Sequence, residues 1–174
     1  LVDDNFANKL LKESSLVEFD AIPHEDEFSI EVQLPFLLHK FGDVNMVPIL
    51  VNNQIPDETL LESCKSVGVS IGKLMRREGK WKLIGSSDLS RKIEAEETER
   101  IDRQLLKTIV KLDAKGLFNV INKNNARVCG YGAIATTMFT ARELGAKKAQ
   151  VLKYSTSADL SEREVTGYAS VIFY

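Results

Sequence analysis

This sequence predicts an α/β fold, with a mainly parallel or mixed sheet flanked by helices, and three observations carry the prediction. Amphipathic stretches with helical spacing alternate with short apolar runs of strand length along the chain, which is the pattern of layered helices and strands. The apolar run 81–84 leads directly into Gly85-Ser86-Ser87-Asp88, so a buried strand would present polar side chains at its C-terminal end, where open α/β sheets place their sites. No internal repeat, low-complexity stretch or linker divides the 174 residues, so one domain over 1–174 is expected.

The elements follow in order. Asp3 and Asp4 are placed to cap a first helix with Phe6, Leu10 and Leu11 as its apolar positions. Ser29 is a cap candidate for a second helix with Ile30, Leu34, Leu37, Leu38 and Phe41 on one face; Pro35 should kink it or limit it to short turns. Residues 46–51 read as a short strand. Asp57 opens a long helix with Leu60, Leu61, Cys64, Val67, Ile71, Leu74 and Met75 in a stripe, closed near Gly79. After the strand 81–84 come a charged amphipathic helix over 94–112 and a shorter one over 113–122. A small-residue helix over 130–144 follows, and then strands over 149–154 and 165–174.

The chain is 44% hydrophobic and 28% charged, with a net charge of −2. That balance gives no electrostatic footprint for nucleic acid or for an anionic membrane. No apolar run approaches the roughly 20 residues needed to cross a bilayer. Two cysteines, Cys64 and Cys129, do not make a disulfide framework, so a cytoplasmic location is expected.

A few positions carry candidate chemistry. Asp88 either caps the segment after its strand or lines a site. Cys129 precedes a glycine and a helix start, where the helix dipole favours negative charge on sulfur; its bland role is that of a small buried hydrophobe. Cys64 falls on the long helix's apolar stripe and reads as core. His24 and His39 are the only histidines, and surface positions suffice for both. The run Glu25, Asp26, Glu27 and Glu31 reads as a solvated loop at a helix start, and residues 94–100 as a solvated helix face. Phosphate loops, Cys-x-x-Cys pairs, His-Glu-x-x-His helices and nucleophile elbows are absent from the sequence.

Four blocks together resemble one family. Glu27-Phe28-Ser29-Ile30-Glu31-Val32-Gln33-Leu34-Pro35-Phe36 resembles the Glu-His-Ser-x-Glu-x-x-Leu-Pro-Phe block of the MEMO family, whose prokaryotic members are called AmmeMemoRadiSam system protein B. Gly85-Ser86-Ser87-Asp88-Leu89-Ser90 and Val128-Cys129-Gly130 agree in order and spacing. So does the pair Leu152-x-Tyr154-x-x-Ser157-x-Asp159 and Val165-x-Gly167-Tyr168-Ala169. The resemblance covers essentially the whole chain but only the C-terminal majority of a typical member. It implies that the family's usual N-terminal strands are lacking, which would leave an exposed apolar sheet edge open to pairing with another chain.

The resemblance implies a fold similar to class III extradiol dioxygenases, which hold non-haem iron with two His and a carboxylate. It also implies a pocket of two His and a Cys, with an Asp nearby, that binds iron or copper. Cys129 would be the pocket cysteine and Asp88 its acidic neighbour, with Ser87 and Glu31 adjacent. Phe28 stands in place of one pocket His, Arg91 in place of a His that usually follows the Ser-Ser-Asp block, and the segment bearing the other pocket His is absent. His24 lies where many prokaryotic members carry an additional His. No cofactor is therefore expected of the chain as it stands, and iron or copper only if the pocket functions. The expected role is a non-catalytic binding or partner module; the alternative is a metal-dependent oxidoreductase of the extradiol dioxygenase type using His24, Asp88 and Cys129. The family further implies a protein or phosphopeptide partner, for which Arg91, Lys92 and Arg127 are cationic candidates, their bland role being that of ordinary surface charges. Family association suggests radical SAM and AMMECR-type partners.

Overall fold

Three of the helices begin where an aspartate meets an unpaired N-terminal amide. The computed structural model describes residues 1–52, 55–158 and 164–174. In it Asp3 accepts from the Phe6 amide at 2.8 Å to start α1 (Asp4–Glu13), and Asp57 accepts from Leu60 at 2.9 Å to start α3 (Glu58–Glu78). Asp113 accepts from Gly116 at 2.8 Å to start α5 (Ala114–Asn124). Such a cap satisfies one of the orphan amides at a helix start, so Asp57→Ala should lower stability by about 1 kcal/mol, read from the denaturant midpoint.

Between α1 and α3 the chain departs from its expected course. Ser29 does not cap a helix: its hydroxyl donates to Glu27 at 2.6 Å and its amide donates to Glu27 at 2.8 Å, which holds it in a loop. The segment becomes two 3₁₀ turns, Ile22–His24 and Glu31–Gln33, and a short α2 (Leu34–Phe41) that tolerates Pro35 in its first turn. The apolar face expected to be buried is not: α2 contains no buried residue, and Phe41 is 67% exposed.

Two cores form. The larger joins α3 and α5 to α4 (Ala95–Val110) and α6 (Tyr131–Glu143) through Cys64, Ile101, Leu105, Leu117, Ala135 and Met138. Thr140 of α6 donates to the Gly68 carbonyl of α3 at 3.0 Å, which fixes this close helix pair. The smaller gathers Phe6, Leu10, Ile71, Leu74 and Met75, with the Trp81 ring tilted against the Phe6 ring at a centroid distance of 4.2 Å. The stripe read along α3 therefore serves both cores, with Cys64 in the larger one as expected.

The α/β class holds, but the sheet differs from the expectation of a mainly parallel or mixed one. Strands β1 (Arg91–Lys92), β2 (Ala149–Thr156) and β3 (Val165–Phe173) form an antiparallel sheet in the order β1-β3-β2. Only residues 157–164 connect β2 to β3, fewer than the dozen or so that a parallel crossover requires. Parallel pairing among the described residues is confined to a bridge between Val2 and Met46. The expected strands 46–51 and 81–84 run extended and send Val47, Ile49, Trp81 and Leu83 against the smaller core. They form no ladder among the described residues. No helix of the described residues is long and apolar enough to cross a membrane.

Candidate functional site

The loop from Gly85 to Ser90 is tied down at both ends of its polar stretch. Leu89 donates to the Gly167 carbonyl at 2.9 Å, and the Gly167 amide donates to the Ser90 carbonyl at 3.0 Å, so β3 grips the loop just beyond Asp88. On its other side the loop meets the start of α6. The Gly130 amide donates to Ser87 Oγ at 2.8 Å, and Ser87 Oγ donates to the Asp88 carbonyl at 2.6 Å. A side chain at Gly130 would meet Ser87 Cβ at 2.7 Å, which is why the Cys-Gly step must be a glycine for the loop to approach.

This contact brings Cys129 to the loop. Its Sγ accepts from the Asp88 amide at 3.0 Å and lies 3.5 Å from Ser87 Oγ, at an exposed position and outside any disulfide. The Asp88 carboxylate turns toward Arg91, whose Nη2 lies 3.3 Å from Oδ2. Arg91 Nε also donates to Thr166 Oγ1 at 3.0 Å, and its other terminal nitrogen lies 4.0 Å from Glu164. Arg127 donates to the same Glu164 at 2.6 Å. Lys92 donates to the Asn124 and Asn125 carbonyls at 3.4 Å, at the C-terminus of α5.

Ser87, Asp88, Arg91 and Cys129 thus form one constellation. The Phe28 block touches it through Gln33, whose amide donates to Ser86 Oγ at 3.2 Å. Phe28 itself is 67% exposed, and Glu31 is exposed at the start of its 3₁₀ turn. His24 ends the first 3₁₀ turn and acts electrostatically on Glu27. Burial works upward on the Glu27 carboxyl, but Ser29, the Phe28 backbone and His24 together hold it below its ordinary value. His39 lies in the last turn of α2, an exposed position. Asp159 lies outside the described residues.

The donor set can be compared with an iron or copper site. Holding such an ion with open positions takes about three protein donors. Among the described residues no three His, Cys, Asp or Glu side chains come together in that way. Within the constellation Cys129 and Asp88 are the available donors, and Asp88 is shared with Arg91. The described residues as placed do not assemble a three-donor set for the metal. Two surface depressions of about 580 Å³ lie elsewhere, one along α4 and one around Leu112 and Gly145; neither is lined by these residues.

Beneath the constellation lies a group the sequence did not announce. Asp102 is fully buried on α4 and accepts from the Ser90 amide at 2.8 Å and from the Tyr154 hydroxyl at 2.8 Å. Burial pushes its carboxyl up, against the pull of the Ser90 and Tyr154 hydrogen bonds. Burial, reinforced by Asp102, pushes the Tyr154 hydroxyl up as well. The signal was the spacing of Asp102 with Thr98, Ile101, Leu105 and Ile109, which places it on the buried face of a helix otherwise read as charged.

Comparison with known proteins gives a consistent picture. The family model described as Memo-like protein matches residues 1–172. The chain is 40% identical to a MEMO1 family protein of Desulfurococcus amylolyticus over 100% of its own length and 61% of that relative. It is 37% identical to one from Methanosarcina acetivorans (91% of this chain, 59% of the relative). It is 38% identical to one from Sulfolobus acidocaldarius (99% and 60%). The chain spans about three-fifths of the length of these curated relatives.

Proposed function

Because the chain belongs to the Memo-like protein family, we propose that it is a binding module of that family, whose Cys129–Asp88–Arg91 surface meets a partner and does not turn over substrate at iron or copper. One observation carries the reading: the carboxylate that would complete a donor set is engaged by the Arg91 guanidinium, and among the described residues no group of three His, Cys, Asp or Glu side chains is placed to hold a metal. Phe28, where the family block has His, offers no lone pair and adds apolar surface. The partner we favour is a protein or phosphopeptide. Arg91, Lys92 and Arg127 are all held by carboxylates or carbonyls, so a phosphate would have to displace Asp88 and Glu164. Exposed pairs of this kind contribute only about 0–1 kcal/mol, so that exchange is within reach of a doubly charged anion.

The test is metal content by mass spectrometry, on the purified chain and on Phe28→His. Much less than one iron or copper per chain in the wild type is the expected result. About one metal per chain would overturn the reading and favour the extradiol-type oxidoreductase with His24, Asp88 and Cys129 as ligands; in that case Cys129→Ser should abolish uptake.

A further inference from the structure

Helix α6 is about 20 Å long at 1.5 Å per residue, so Cys129 before its start and the depression around Leu112 and Gly145 at its end are separate surfaces. That depression holds about 580 Å³, within the range of small-molecule sites. Lys111, Arg142 and Lys147 line it, and Asp113 is the sole carboxylate among its lining residues. Three cations to one anion is a local excess in a chain with 25 Asp and Glu against 23 Lys and Arg. Arg142 also stands apart from the other arginines. Arg76, Arg77, Arg91, Arg100, Arg103 and Arg127 each lie within ion-pair distance of a carboxylate. Arg142 has no such partner among the described residues, and neither have Lys111 and Lys147.

The ordinary job of a Lys or Arg at such a place is to neutralise a helix C-terminus. Here the backbone already closes those ends. Beyond α4 the chain turns back through Leu112 (φ 53°), and beyond α6 through Gly145 (φ 98°), both left-handed. Each turn lets the next amide reach back into its helix: Asp113 donates to the Thr108 carbonyl and Ala146 to the Ala141 carbonyl, both at 2.9 Å. The Thr140 and Arg142 carbonyls are taken by the Leu144 and Gly145 amides. Carbonyls closed in this way need no side-chain cap, so the charges of Lys111 and Arg142 are left to the depression they line. Asp113 is itself occupied, since its Oδ1 accepts from the Gly116 amide as the cap of α5. Because α5 begins there, its positive end borders the same depression.

We infer that this depression binds the phosphate dianion of a small phosphorylated molecule, with Arg142 as a two-pronged donor and Lys111 and Lys147 as point charges. A phosphate monoester carries close to two negative charges at neutral pH, which matches three cations less Asp113. A guanidinium addresses two phosphate oxygens at once, whereas an ammonium acts as a compact charge. Gly145 and Ala146 supply small, uncharged wall against which the organic part can lie. The feature is concave and local, not an extended basic stripe, so a small ligand is favoured over nucleic acid. The inference does not rest on the binding-module reading, whose Arg91 and Arg127 belong to the surface near Cys129.

The test is a titration of the isotope-labelled chain with phenyl phosphate and, separately, with inorganic phosphate, followed through amide chemical shifts. Saturable shifts are expected at residues 111–113 and 145–147, and none at Ser87, Asp88 or Cys129. The ester should bind more tightly than inorganic phosphate; equal affinity would overturn the ester assignment and name free phosphate as the ligand. Arg142→Gln should weaken phenyl phosphate at least about fivefold, and Arg142→Lys by less, since lysine keeps the charge and loses only the second prong. Arg142 is exposed and makes no ion pair among the described residues, so both variants should melt with the wild type. Lys147→Gln, at an exposed position outside any helix, should weaken the ester in the same direction. No saturation in the millimolar range would overturn the inference. So would shifts centred on Cys129, or an Arg142→Gln variant that binds as the wild type does.

Discussion

Replacing Asp102 with alanine is expected to cost the fold about 3 kcal/mol, and Asp102→Asn well under half of that, both read from denaturant midpoints. Asp102 is fully buried and holds two donors at 2.8 Å each, the Ser90 amide at the end of the site loop and the Tyr154 hydroxyl of β2. Alanine leaves the buried Ser90 amide and the part-buried Tyr154 hydroxyl without that acceptor. The penalty for an orphaned buried donor is about 1–3 kcal/mol each, and relief of the buried carboxylate offsets part of the sum. Asparagine keeps an oxygen for the Ser90 amide and sets its amide nitrogen against Tyr154, whose hydroxyl can turn to accept. Because Ser90 anchors the loop that carries Ser87 and Asp88, the alanine variant should also speed amide exchange across that loop.

The same residue sets a pH dependence. Asp102 has no cation within ion-pair distance among the described residues, and burial raises its carboxyl above the ordinary value of 3.8. A group whose folded value is raised stabilises the fold fully below its unfolded value and loses that contribution as pH rises through the folded one. The stability of wild type relative to Asp102→Asn should therefore fall as pH rises from about 3.8 toward neutrality and then level off. A difference that stays flat over that range would mean the carboxyl is not perturbed in the fold.

How far the sequence could be read depends on the range of the interactions. The caps at Asp3 and Asp57 were legible because a cap needs only the next three residues. The α3 stripe was legible because helical periodicity is written in the helix itself. Ladder partners are not written locally. Segments 46–51 and 81–84 have the length and apolar content of strands, but whether a strand pairs, and in which direction, depends on residues far along the chain. Ser29 illustrates a competition between local signals, since Glu27, two residues back, captured the side chain that was expected to cap a helix. The site shows the same division. Nothing local links Cys129 to Asp88, which are 41 residues apart, and only the family blocks brought them together on paper. Asp102 was missed because a lone carboxylate in a charged helix looks solvated until its neighbours at Ile101 and Leu105 are counted as core.

Gly167→Ala should be as damaging as the loss of Asp102, and the two changes should not add. β3 passes so close to α4 at this point that an added Cβ would collide with Asp102 Oδ2 and lie 3.3 Å from the Tyr154 hydroxyl. The carboxylate cannot simply turn aside, because both of its oxygens are held by the two hydrogen bonds. The methyl must instead push β3 away or break those bonds, and overpacking of this kind costs about 1–3 kcal/mol. It would strain two further bonds as well, since Gly167 exchanges its own amide and carbonyl with Ser90 and Leu89. With Asp102→Ala in place the obstructing oxygens are gone and the new methyl has room. The double variant is therefore expected to be more stable than the sum of the single losses by about 1 kcal/mol or more, measured as a double-mutant cycle from denaturant unfolding. Strict additivity would show that Gly167 is needed for the course of β3 alone. Coupling of the expected sign would show that one buried carboxylate sets the distance between β3 and α4, and through Ser90 the position of the loop that meets Cys129.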